Sequence, residues 1–300
     1  MLPQPKTDKE CDSLDRAGDD FARAVRLTFA KHVGTTPLAA TPVGSYPVFY
    51  VGDRYVAKLF SPIHADLFRS EYAALQALAK TGDVPAPEVV AVDEVDGWSA
   101  LLMTRLPGRS IKEIWPALDI EEKERLCRSI GHIAKALHEV DPSPLRPSSL
   151  HWPSFLDGQL RNCASEQRRL GLAERLVGQI PEFLATLELD AGGDTFLHTE
   201  IMLEHVFAGD DLEITGLIDF EPAMIGAPEY EFASVGLFIA AAQSRLMRAF
   251  AGGYGHAIDG EFHRRVMGYA LLHRYSKLSW YLEFLPGSDS IEGLARSWFG

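Results

Sequence analysis

The chain has 300 residues, 46% of them hydrophobic, and a formal net charge of −13. That is enough apolar material for one large domain or two lobes, and no run of about 18 apolar residues offers a membrane span. The charge is concentrated: from Pro181 to Gly300 there are 18 Asp or Glu against 7 Lys or Arg, which repels nucleic acid and anionic membrane and suits a cationic ligand.

The start, MLPQPKTDKECDSLD, is polar and carries no apolar signal core, and residues 1–20 read as a frayed end. Cys11, Cys127 and Cys163 are odd in number and in no metal-ligand spacing, as free thiols in a reducing cytoplasm would be. Asp20 to Val33 has Phe21, Val25 and Phe29 at helical spacing. Val43 to Val51 and Arg54 to Phe60 read as two strands joined by a tight Gly-Asp turn. Ile63 to Thr81 reads as a helix with Leu67, Tyr72, Leu75 and Leu78 on its apolar side, stopped by Gly82 and two prolines. Glu88 to Val95 and Ser99 to Arg105 form another strand pair around Asp96-Gly97, and Pro107-Gly108 ends the sheet. Helical texture follows: Ile120 to Val140, then 154–189 after a Pro- and Ser-rich loop, then Tyr230 to the end. Two short apolar runs between Phe196 and Tyr230 read as the arms of a β-hairpin. The order predicts an α+β fold in two lobes, 1–105 with the sheet and 106–300 mostly helical.

Three places carry ionisable groups in patterns that suggest chemistry. Lys58 sits in an alternating strand and Glu71 on the following helix, the arrangement with which kinase-like enzymes hold the α- and β-phosphates of a nucleotide; taken alone, both also read as solvated charges. Gly44 and Ser45 precede that strand in a turn able to offer backbone N–H groups and a hydroxyl to phosphate. His198, Glu200 and His205 form one loop, and Asp219 and Glu221 a second, at the ends of the predicted hairpin. His-x-Glu with a distant His is also an iron ligand set, but that reading leaves Lys58, Glu71 and Asp219 unexplained; a zinc deaminase would need Pro-Cys-x-x-Cys, which the sequence lacks. His138 and the tryptophans, Trp280 and Trp298 among them, read as packing residues, and Glu229, Glu231, Glu261 and Glu283 as solvated acids able to line a cationic pocket.

The order of Gly-containing loop, strand Lys, helix Glu, hinge, catalytic loop and Ile218-Asp219-Phe220 resembles the aminoglycoside phosphotransferase and choline-kinase superfamily. Leu217-Ile-Asp-Phe-Glu-Pro-Ala-Met-Ile-Gly226, Glu229-Tyr-Glu-Phe232, Tyr46 to Tyr50, Val56 to Phe60 and Leu271-Leu-His-Arg-Tyr275 are similar to its hygromycin phosphotransferase branch, and the resemblance spans roughly 40–285. It implies a protein-kinase-like two-lobe fold and ATP-dependent phosphorylation, with GTP the lesser candidate, of a hydroxyl on a small cationic molecule such as an aminoglycoside. The implied setting is cytoplasmic antibiotic resistance by a monomer or homodimer. By the same resemblance Glu200 is the catalytic base beside His198, and Asp219 and His205 hold Mg²⁺. Gly44, Ser45, Lys58 and Glu71 meet the phosphates, and the hinge around Met103 and Arg105 meets the adenine.

In the family motif His-x-Asp-x-x-x-x-Asn, this chain has Glu200 for the Asp and His205 for the Asn. Glu is one methylene longer, and imidazole is a poor Mg²⁺ ligand beside an amide oxygen. Those departures keep two alternatives open: a nucleotide-binding protein with altered or lost transfer, and a kinase for an ordinary amino alcohol.

Overall fold

The computed structural model describes residues 1–41 and 44–300; Pro42 and Val43, the latter the first residue of the expected strand and phosphate loop, lie outside them. Five antiparallel strands open the fold: β1 (Leu38–Ala40), β2 (Val48–Val51), β3 (Tyr55–Phe60), β4 (Val89–Val95) and β5 (Trp98–Thr104), in spatial order β1-β2-β3-β5-β4. Strand β2 starts at Val48, after a bend at Ser45 and Tyr46, and the Pro47 carbonyl still accepts from the Leu59 amide of β3 at 3.0 Å. β4 and β5 turn through Asp96 and Gly97, both with positive φ (+53° and +80°), as a tight hairpin turn of this hand requires.

Side-chain alternation divides the sheet between two cores. Ala57 and Leu59 of β3, with Trp98, Ala100 and Leu102 of β5, face Phe21, Val25 and Phe29. Phe60, Leu101 and Met103 point the other way, into a core that continues through the helical half as far as Phe299. Lys58 lies on this second face, paired across the ladder with Val48 and Leu101.

The chain start is not frayed. Leu2 is 4% exposed, the Leu2 amide donates to Asp96 Oδ2 at 2.7 Å, and Trp98 Nε1 donates to the Pro3 carbonyl at 2.7 Å. The polar composition hid this because a few backbone and carboxylate partners suffice to pin an otherwise hydrophilic segment. The first long helix is Asp19–Thr28, interrupted at Phe29 before Ala30–Val33. The helix after β3 spans Ala65–Leu78 behind a short 3₁₀ turn; Tyr72 lies on its outer side, 36% exposed and stacked on Phe68, while Ser70, Glu71 and Ala74 face inward.

Beyond β5 come β6 (Arg109–Ser110) and the helix Ile120–His138, which starts at a capping box between Asp119 and Glu122. Trp152–Arg169 is the next long helix. Then β7 (Thr195–Leu197), β8 (Val206–Ala208), β9 (Ile214–Leu217) and β10 (Met224–Gly226) follow. β8 and β9 form the expected hairpin, edged by β6, and β7 pairs with β10. The helices Pro228–Val235, Ser244–Tyr254, Phe262–Leu272 and Ile291–Phe299 complete the fold. Trp298 is buried, but Trp280 is 43% exposed and leans on Phe238 and Phe284, so it is a surface residue. All three cysteines are buried free thiols. Among the described residues no helix is long and apolar enough to cross a membrane.

Candidate active site

The strand pattern fixes where the two ionisable loops fall. Residues 198–205 link β7 to β8 and residues 218–223 link β9 to β10, so both leave the paired strands beside each other. Three hydrogen bonds join them: His198 Nε2 donates to the Ile218 carbonyl (2.9 Å), Thr199 Oγ1 to the Pro222 carbonyl (3.2 Å), and the Ile218 amide to the His205 carbonyl (2.9 Å). Thr199 and Asp219 each hold φ at +74°, a conformation that costs a non-glycine residue of order 1 kcal/mol or more and persists where surroundings over-determine it.

Lys58 reaches from the sheet into the second loop. Its Nζ lies 2.8 Å from Glu71 Oε2 and 2.6 Å from Asp219 Oδ1, and it also contacts Glu221. The Tyr46 ring covers it, with the ring centroid 4.9 Å away. Burial works against the ammonium, but Asp219, Glu221 and Glu71 together raise its pKa well above the ordinary value. Asp219 shows the converse: burial would raise it, and Lys58 with a hydrogen bond from Glu221 drives it well below the usual carboxylate range. Glu221 is pushed well up by burial and by the Asp219 charge, with Lys58 opposing.

His198 is fully buried, and burial brings its pKa down to about 4. Its Nε2–H donates to Ile218 while Nδ1 accepts from the Glu200 amide at 3.2 Å. Both ring nitrogens are therefore engaged, and the ring positions Glu200. His205 Nδ1 donates to the Glu200 carbonyl at 2.7 Å, which leaves its Nε2 toward Asp219 Oδ2 at 3.4 Å. The Glu200 backbone is thus clamped at both its amide and its carbonyl. Burial raises the pKa of its carboxyl, with Asp219 adding and His205 and Arg274 opposing.

Other expected residues separate from this cluster. Gly44 and Ser45 are exposed, and the Gly44 carbonyl accepts from Arg16 at 2.9 Å. Met103 is buried in β5. The Arg105 side chain turns back to the Gly52 carbonyl and lies over Tyr50, so only its backbone belongs to the hinge. The amides of Thr104 and Arg105 already donate to Glu88 and Arg54. Glu229 and Glu231 do not line an open pocket: Glu229 pairs with Arg265 (2.9 Å), and Glu231 is 0% exposed and accepts from the His198 amide at 2.7 Å. Glu231 supports the catalytic-type loop from beneath; its sequence context, an acid among other acids on a helix, gave no sign of that.

The oxygens of Glu71, Asp219 and Glu221 can approach within 4.8 Å of one another. A hard divalent cation takes oxygen ligands, so Mg²⁺ fits Asp219 and Glu221, with the His205 imidazole the weaker partner. The model of the phosphotransferase enzyme family matches residues 42–268. The chain belongs to this phosphotransferase family. Solved structures of similar fold include the GDP and kanamycin complex of APH(2")-IIia, 15% identical, covering 92% of this chain and 97% of that one with a TM-score of 0.67. The macrolide 2'-phosphotransferase MphH from Brachybacterium faecium is 19% identical over 84% and 88%, TM-score 0.62. A choline/ethanolamine kinase family protein from Mesorhizobium loti is 18% identical over 84% and 83%, TM-score 0.55. The phosphotransferase fold is therefore shared with proteins named for chemically different acceptors.

Proposed function

We propose that the protein transfers the γ-phosphoryl group of ATP to a hydroxyl of a small amine-bearing molecule, aminoglycosides and amino alcohols being the first candidates. In this reading residues 1–105 hold the nucleotide and 106–300 the acceptor. The observation that carries it is the placing of Lys58 Nζ within 2.8 Å of Glu71 and 2.6 Å of Asp219, which joins sheet, helix and second loop at one point. The acidity of the C-terminal half supports an amine on the acceptor.

Lys58, steadied by Glu71, orients the α- and β-phosphates. The Leu106 amide, without a hydrogen bond among the described residues, is the hinge donor left for the adenine edge. Mg²⁺, when bound by Asp219 and Glu221, neutralises charge on the phosphates. The acceptor oxygen forms the new bond to phosphorus as the bond from phosphorus to the leaving diphosphate breaks, and Glu200 takes the hydroxyl proton. A carboxyl with a raised pKa is suited to that task near neutral pH.

Titration with Mg-ATP should raise the melting temperature of the wild type by linkage, and Lys58→Ala should lose most of the rise. An unchanged wild-type melting temperature at saturating Mg-ATP would remove the nucleotide from this site.

A further inference from the structure

The residue at the acceptor side of Glu200 that this reading leaves unused is Arg274. It follows His273, whose Nε2 donates to the Thr199 carbonyl at 3.1 Å, so it is fixed against the loop that carries Glu200. Its own amide donates to the buried Tyr230 hydroxyl at 2.9 Å. Its guanidinium makes no direct bond to an acid: Nη2 lies 3.0 Å from Met224 Sδ, and Cζ lies 5.8 Å from the Tyr275 ring centroid. Nε is buried with no hydrogen-bond partner. Among the described residues no carboxylate forms an ion pair with it. A partly buried cation without a bonded anion is costly; of the other partly buried arginines, Arg16, Arg264 and Arg265 have carboxylates and Arg26 donates to the Gly34 and Thr36 carbonyls, whereas the Arg274 guanidinium has neither.

Two observations point the same way. The segment also lines a cavity of about 310 Å³ against the helix Trp152–Arg169. The charged side chains there are Arg169, Arg274, Lys277 and Glu166; Glu166 is already paired with Arg169 at 2.8 Å, which leaves two cations unmatched. Second, the field of Arg274 acts on Glu200, Tyr230 and Tyr275, whereas Lys58 and Asp219 are governed by each other and by Glu221 and His205. Arg274 thus belongs to the acceptor side and not to the phosphates of the nucleotide.

We propose that Arg274 receives a carboxylate of the acceptor, so that the molecule phosphorylated is a hydroxy acid, with or without an amine. A guanidinium presents parallel N–H groups that match a carboxylate, and an anchored carboxylate would orient the hydroxyl toward Glu200. The proposal rests on the phosphotransferase reading for the role of Glu200 and makes a carboxylate, in place of the amine, the group by which the acceptor is recognised.

The test compares hydroxy acids with their decarboxylated counterparts: serine with ethanolamine, threonine with 1-aminopropan-2-ol, glycerate with ethylene glycol. Thermal stabilisation is measured in the presence of Mg-ADP, and phosphoryl transfer with Mg-ATP. An acid should stabilise the wild type where its counterpart does not, and should have the higher kcat/KM by about 10- to 100-fold, the span of one charge-assisted hydrogen-bonded pair. Arg274→Gln should erase that preference, and Arg274→Lys should restore part of it. Equal stabilisation by acid and counterpart, an acid preference that survives in Arg274→Gln, or no stabilisation by any acid overturns the proposal. The Mg-ADP shift of each variant, read first, reports that it is folded and binds nucleotide. If the wild type shows that shift and no acid preference, only the hydroxy-acid inference falls; if the shift itself is missing, the phosphotransferase reading falls and takes this one with it.

Discussion

At the level of a single side chain, the proposed phosphoryl transfer turns on Glu200. Its amide and carbonyl are both held by histidine rings, so the backbone cannot follow a change in side-chain length. Glu200→Asp would withdraw the carboxylate by about 1.5 Å, and a shift near 1 Å can cost about a hundredfold in rate. Glu200→Gln should lower kcat by about 10²- to 10⁴-fold while leaving Mg-ATP stabilisation intact. As the proposed base, Glu200 must be ionised to act, and burial raises its pKa. Activity should therefore fall as pH drops through that raised value, at a higher pH than an ordinary Glu would give, and Glu200→Gln should abolish this acid limb. A limb that persists unchanged in the Gln variant would assign it to another group, Glu221 being the first to examine. That Lys58, Glu71 and Asp219 meet could be expected from the order of their motifs along the chain, although Lys58 and Glu71 taken alone also read as solvated charges. Glu231, His273 and Arg274 were not legible in this way. Their partners lie 33 and 74 residues away in the chain for Glu231 and His273, and a glutamate buried against a loop looks the same in sequence as Glu229 two positions before it, which pairs with Arg265 instead.

Among the elements, the strands were the more readable: alternation around Lys58 and the Asp96-Gly97 turn set register and face together. Helix packing was less so, because periodicity gives a face but not a distance. The helix Ile120–His138 lies against Ser244–Tyr254 backbone to backbone. A Cβ on Gly131 would come 2.2 Å from the Phe250 carbonyl oxygen, and one on Gly253 would come 2.0 Å from that of Arg128. Neither obstacle is a side chain that can rotate away. Gly131→Ala should therefore cost about 1–3 kcal/mol through overpacking, although alanine is the better helix former. Urea denaturation measures it, and a variant as stable as the wild type would mean that the two helices separate freely. Their contact helps place His138, whose Nε2 is 3.7 Å from Glu231 and whose Nδ1 shares a hydrogen bond with Tyr254, so the loss should also reach the active site.

For the molecule as a whole, acid sensitivity follows from two histidines built into its interior. His198 and His273 use the same device, an Nε2–H on a carbonyl and an Nδ1 accepting the amide two residues on, and burial brings both pKa values down to about 4. In the unfolded chain they return to about 6.5. The unfolded state then binds more protons between those limits, so stability is fully present above about pH 6.5, declines as pH falls toward 4, and levels off below. Each histidine contributes roughly 3 kcal/mol by this linkage. The melting temperature should drop across that window, and His273→Gln, which keeps a donor for Thr199, should flatten the slope; an equally steep profile in the variant would clear His273 of responsibility.

The bond from His273 to the Thr199 carbonyl spans 74 residues of sequence. It gives the site a place in the order of synthesis. The sheet, Lys58 and both ionisable loops have all been made before His273 emerges, yet the loop bearing Glu200 lacks one of its supports until then. A nascent chain halted between Glu221 and that residue would hold every motif of the proposed reaction and still lack a finished site, so competence should arrive late in translation, after the nucleotide-side residues are in hand.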